Sequence, residues 1–96
     1  MPRMTPELRR QLRAKAHKLK PVVITGQAGI TPGVLGEIDM ALEHHELIKV
    51  RVNAGDRETR AEMTAQICGE SGAELVQSLG HVITLFRKSP ERGRKV

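Results

Sequence analysis

Ninety-six residues, 39% of them hydrophobic, with Phe86 as the single aromatic and Cys68 as the single cysteine, make one domain with a small aliphatic core. The lone cysteine excludes an internal disulfide and a cysteine metal pair. No apolar run is long enough to span a bilayer and no signal peptide is evident, which predicts a reducing cytoplasm and no membrane partner. The net charge of +5 is unevenly placed: residues 1–20 sum to +6, residues 21–86 to −5 and residues 87–96 to +4. An acidic middle between basic ends suits a polyanion partner, although a solvated helix face with a basic tail accounts for the same charges.

Thr5-Pro6-Glu7 offers a capping hydroxyl, a proline and a first-turn carboxylate, so a first helix is predicted from there until Pro21 ends it. Leu8, Leu12, Ala16 and Leu19 form its apolar stripe, with Arg9, Arg10, Arg13 and His17 opposite. Val22 to Thr25 is too short for a helix and reads as a buried strand. Thr31 and Pro32 repeat the cap-and-proline signal for a second helix. Its inner face is Val34, Leu35, Ile38, Ala41, Leu42 and His45, and its outer face carries Glu37, Asp39, Glu43 and His44.

Leu47 to Val52 alternates as a strand should: Ile48, Val50 and Val52 point one way, Lys49 and Arg51 the other. Two cations on one strand face predict that this part of the sheet meets solvent or a ligand. Asn53-Ala54-Gly55-Asp56 is a turn, and Asp56 caps a third helix from Arg57 to about Ser71. The apolar stripe of that helix (Ala61, Thr64, Ala65, Cys68) is weak, with Ile67 beside it. Gly72 supplies a left-handed helix end, and Glu74–Leu79 and His81–Arg87 are strands joined tightly at Gly80. The predicted domain is 1–88, followed by a flexible basic tail, 89–96.

The order α-β-α-β-α-β-β predicts an α/β domain, a two-layer α+β arrangement in which helices pack a four-stranded mixed sheet. Each strand–helix–strand unit favours a parallel pair with a right-handed crossover, and the closing hairpin must be antiparallel. With the first three strands running together, one rim of the sheet collects Gly26–Gly29, Asn53–Asp56 and Gly80-His81. Ligands of open α/β sheets bind outside the carboxyl ends of strands.

The functional signal concentrates in Pro21-Val22-Val23-Ile24-Thr25-Gly26-Gln27-Ala28-Gly29-Ile30-Thr31-Pro32. A β-branched run stops at a glycine, turns through Gln27 and Ala28, and restarts as a helix after Gly29. Bare backbone at a strand-to-helix turn lets a bulky anion approach main-chain N–H groups. The motif alone fits a tight, ligand-free connection slightly better; the basic leader before it favours a phosphate backbone. Candidate contacts are Arg9, Arg13, Lys18, Lys20, Gly26, Gln27, Ala28, Gly29, Lys49 and Arg51. With no Tyr or Trp to splay bases on, backbone and shape recognition fits better than base readout.

Other chemistries find little support. His44 and His45 are adjacent on a helix, so their side chains diverge by about 100° and cannot easily share an ion; His45 reads as a packed core residue and Cys68 as a small hydrophobe. No metal, cofactor or small-molecule substrate is predicted. Neither a Walker lysine motif nor a dinucleotide fingerprint is present, and the carboxylates sit on outer helix faces, so no enzyme is predicted. A protein–protein adaptor docking through the second helix or an edge strand is the alternative.

Three blocks then carry a family likeness: Ala16-His17-Lys18-Leu19-Lys20-Pro21-Val22-Val23, Gly26-Gln27-Ala28-Gly29, and Leu42-Glu43-His44-His45-Glu46-Leu47-Ile48-Lys49-Val50. They resemble the bacterial YhbY proteins, the stand-alone form of the CRM domain, and the likeness continues through Asp56-Arg57-Glu58-Thr59 and from Gly80 to Arg87. The resemblance implies a core similar to the C-terminal domain of translation initiation factor three. It also implies RNA binding tied to precursors of the large ribosomal subunit; in plants the same domain occurs in proteins that assist intron splicing. By the same resemblance the Gly26–Gly29 loop touches RNA much as the loop of KH domains does. The expected partner is ribosomal RNA, bound by a monomer.

Overall fold

The computed structural model describes residues 5–26 and 29–88. Its elements are α1 (Pro6–Ala16), β1 (Pro21–Ile24), α2 (Pro32–His45), β2 (Leu47–Arg51), α3 (Arg57–Ser71), β3 (Glu74–Leu79) and β4 (Val82–Phe86). Each helix starts where its cap was read. Thr5 Oγ1 accepts from Leu8 N at 3.0 Å, Thr31 Oγ1 from Val34 N at 3.1 Å and Asp56 Oδ1 from Thr59 N at 2.7 Å, each satisfying a donor that the first turn leaves unpaired.

The sheet runs β1-β2-β4-β3. β1 lies parallel to β2, with Val23 opposite Val50, and β4 is antiparallel to both of its neighbours. β1, β2 and β3 therefore point the same way, as the rim argument requires. β2 and β3 are nevertheless not a parallel pair, because β4 lies between them. Hydropathy explains the insertion. Ile83, Thr84 and Leu85 are buried, so β4 is covered on both faces and takes the interior, while β3, with Glu74, Gln77 and Ser78, takes the edge.

On one face of the sheet Val23, Ile48, Val50, Ile83 and Leu85 meet Ile38 and Leu42 of α2 and Ile67 of α3. The other face is crossed by α1, which touches β2, β3 and β4. It buries Leu12 and Ala16 there, on the side where Val76 and Thr84 are also buried. Helices thus cover both sides of the four-stranded mixed sheet, two on one side and one on the other, and β1 keeps Val22 and Ile24 exposed.

Several expected positions change. α1 stops at Ala16, and Leu19, whose N–H bonds Ala16 O at 2.9 Å, leaves the stripe and is 38% exposed. A residue ahead of proline is pushed out of helical geometry, so the chain leaves the helix before it reaches Pro21. His45 is exposed rather than packed: it ends α2 beyond Leu42, where the core stops. The inward side of α3 is Thr64, Ile67 and Ser71, whereas Ala61 and Ala65 face solvent. Arg87, counted with the basic end, belongs to the fold. Its guanidinium donates to Ser71 O and Asp39 Oδ1, both at 2.7 Å, and lies 3.6 Å from Glu43 Oε2. The proposed tail, 89–96, lies outside the described residues.

Candidate nucleic-acid interface

The rim at the carboxyl ends of β1, β2 and β3 is knitted by its own backbone. Thr25, fully buried, donates its N–H to Arg51 O at 3.0 Å, accepts Asn53 N on its hydroxyl at 2.9 Å and accepts Asn53 Nδ2 on its carbonyl at 3.0 Å. Val52 N donates to His81 O at 2.6 Å, so the turns after β1, β2 and β3 are fastened to one another. Across the rim Arg60 Nη1 lies 3.4 Å from His81 Nδ1. Thr25 and Asn53 were not singled out in the sequence. A threonine at the end of a strand and an asparagine in a turn are common, and only the fold shows that they meet.

On this base stands the glycine turn. Gly29 N donates to Gly26 O at 3.1 Å, closing the four-residue turn. Gly29 has φ +79°, a conformation that side chains oppose. Gly26 differs: its φ lies outside the left-handed region, and a Cβ built on it would meet no atom within 4 Å. Among the described residues nothing would meet a side chain at position 26, as is also true of Gly36, Gly55 and Gly69. Gln27 and Ala28 lie outside the described residues.

The candidate cations separate into two sets. Ile24 sits opposite Arg51 and Pro21 opposite Lys49, so the exposed Arg51 flanks the glycine turn and the half-buried Lys49 follows it along the same sheet face. Lys18 and Lys20 precede β1 and continue the file to the other rim. At about 3.3 Å per residue, β1 carries this file over roughly 13 Å. Arg13 is exposed on α1. Arg9 stands apart, because its Nη1 donates to Leu75 O at 3.1 Å and Val76 O at 2.9 Å, pinning α1 to β3. A long cation can reach back to carbonyls, which periodicity alone does not reveal.

Among the described residues no three or more of His, Cys, Asp and Glu gather as a metal site. His44 and His45 tilt their rings at 55° with centroids 6.3 Å apart. Burial, then the Glu74 charge, pushes the Cys68 thiol above its usual range, which opposes thiolate chemistry. No helix among the described residues is long and apolar enough to cross a membrane.

The fold is an α+β module whose mixed sheet bears a closed glycine turn at one rim, with cations in file along the adjoining face. The chain belongs to the CRS1/YhbY (CRM) domain family, whose model matches residues 4–87. It is 50% identical over 80 residues to an RNA-binding protein of Haemophilus influenzae, covering 83% of this chain and 81% of that one. It is also 38% identical over 93 residues to a probable RNA-binding protein of Pseudomonas aeruginosa, covering 97% and 89%. A Staphylococcus aureus protein of known solution structure, described as a candidate RNA binder, superposes with a TM-score of 0.79 at 33% identity, covering 91% of each chain.

Proposed function

We propose that this protein binds RNA through its sugar–phosphate backbone, with the glycine turn at one rim and Lys18, Lys20, Lys49 and Arg51 along the adjoining sheet face. Arg13 supports the same approach from α1. The observation that carries the reading is the glycine turn at the rim: Gly26 stands clear of every described atom a Cβ could meet, and the turn's base is fixed by Thr25 and Asn53. A bare backbone at a rigid rim serves something that arrives from outside, and cations behind it select an anion. The names of the relatives support RNA as that anion. The role is binding without catalysis, and by family likeness the target is ribosomal RNA during assembly of the large subunit, in the cytoplasm, with the protein acting as a monomer.

Replacing Gln27 and Ala28 together by Asp tests the reading. Two carboxylates in the turn oppose a phosphate by like charge while both glycines remain, so RNA affinity falls with little change in thermal midpoint. Sedimentation of cell extract at low salt should carry the wild-type protein with large-subunit precursors and leave the double variant at the top of the gradient. Unchanged RNA binding at unchanged stability would reduce the turn to a connection.

A further inference from the structure

At the rim opposite the glycine turn, the connector between α1 and β1 arches over a groove of about 600 Å³. Its apolar lining includes Leu19, Val22 and Phe86, the only Phe, Tyr or Trp in the chain, and the His45 imidazole borders it as well. Lys15, Lys18 and Lys20 stand around it, against one carboxylate, Glu46. Leu19 is 38% and Val22 53% exposed, so apolar surface and cations are open to solvent together at this groove. Phe86 lies across from Leu47 in the β2–β4 ladder, which puts the ring beside β2 at the end of the cationic file.

We propose that this groove takes one unpaired nucleotide of the bound RNA, its phosphate against Lys18 and Lys20 and its base against Leu19, Val22 and Phe86. The proposal rests on the RNA-binding reading and adds the class of RNA: a strand with an extruded or looped-out base rather than an unbroken duplex. Charge selects the occupant. Residues 89–96, which follow close to Phe86 in the chain, carry Arg92, Arg94 and Lys95 against Glu91 and would be repelled by the lysines. A second copy docked about a two-fold axis would oppose lysine to lysine. An anion with an apolar plane attached fits both parts of the groove. The volume lies within the roughly 300–1,000 Å³ of small-molecule sites, and the same cations lead from the groove to the glycine turn.

The test uses the full chain and three short labelled RNA hairpins: fully paired, with one bulged adenosine, and with an abasic residue at the bulge. Wild type should prefer the bulged adenosine over the paired hairpin by on the order of tenfold, the scale of one base stacked on an aromatic ring. The abasic hairpin should lose that preference. Leu19→Ser, at an exposed position, should abolish the preference while keeping salt-sensitive binding to the paired hairpin and the thermal midpoint; Phe86→Leu should reduce it in part. Equal affinity for all three hairpins overturns the proposal and leaves the RNA-binding reading standing. Absence of salt-sensitive binding to any of them removes both. If an acidic peptide such as oligoglutamate binds wild type, fails to bind Leu19→Ser and displaces no RNA, the groove belongs to a protein partner and the proposal falls.

Discussion

The two glycines of the turn should respond oppositely to alanine. Gly26→Ala adds a methyl group outside the left-handed region, with no atom of the described residues within 4 Å, so the folded state should accept it. The unfolded chain loses freedom, and stability rises by about 0.4–1 kcal/mol. For a domain of this size each kcal/mol moves the midpoint by about 4–8 °C, so it should rise by a few degrees. Gly29→Ala forces a side chain to φ +79°, where the left-handed penalty of ~1–2 kcal/mol exceeds the entropic gain. Its midpoint should drop. RNA affinity discriminates the readings more sharply. A methyl on Gly26 holds a phosphate away from the turn, and one charge-assisted hydrogen bond to an amide, worth about 1.5 kcal/mol or more, corresponds to roughly tenfold in affinity. Thermal denaturation followed by circular dichroism, with fluorescence anisotropy on labelled RNA at fixed salt, measures both. A Gly26→Ala variant that is as stable as wild type and binds RNA equally well would show that nothing approaches the turn closely.

Salt titration should give log affinity falling with log salt at about −0.7 per contacted phosphate on single strands, and each of Lys18→Gln, Lys20→Gln, Lys49→Gln and Arg51→Gln should flatten that slope; a slope near zero in wild type argues for a protein partner. Arg87→Ala should destabilise the fold by ~1.5–3 kcal/mol in urea titration, because the bond to Ser71 O is largely sheltered, while the exposed Asp39 contributes little, and RNA affinity at permissive temperature should stay unchanged. Hydrogen bonds from Thr59, first through its side chain and then its N–H, hold the Asp56 carboxyl below its ordinary 3.8, with a smaller contribution from the Arg60 charge. The stability this adds is therefore present above the unfolded value and lost as pH falls through the depressed folded one. Helical circular dichroism of Asp56→Asn should lack that acid-limb loss, and identical acid titrations of the two proteins would contradict the assignment.

Local chemistry made the elements readable, because each start carries a signal that acts within a few residues. Thr5 with Pro6, Thr31 with Pro32, and Asp56 place the helices, and the alternation of Ile48, Val50 and Val52 sets the inward face of β2. Strand neighbours are another matter. Pattern fixes the direction of β3 but not that β4 stands between it and β2, since that choice depends on which strand has enough apolar surface to be covered twice. On α3 the stripe finds Thr64 but not Ser71, because Ser71 is buried by bonding backward, its Oγ to Ile67 O at 2.7 Å, and its polarity hides that burial; Thr64 Oγ1 bonds Arg60 O at 2.8 Å in the same way. For the candidate site, the glycine turn and the Lys49–Arg51 face were visible as sequence. The division of the arginines was not: Arg9 and Arg87 look like any surface cation until β3 and the end of α3 present carbonyls to them.

The place of β4 also governs how the chain can be made. β4 is the last of the described elements to leave the ribosome, yet it supplies the neighbour that both β2 and β3 need. Until Val82–Phe86 emerges, a nascent chain holds β2 and β3 with a row of unpaired N–H and C=O groups each, and the buried face of α3 has no finished sheet to rest on. Only β1 with β2, joined through α2, can pair before then. Folding of this sheet is therefore set to complete only once β4 has emerged, rather than to grow strand by strand. Chains stalled before residue 82 should present open strand edges to chaperones and proteases.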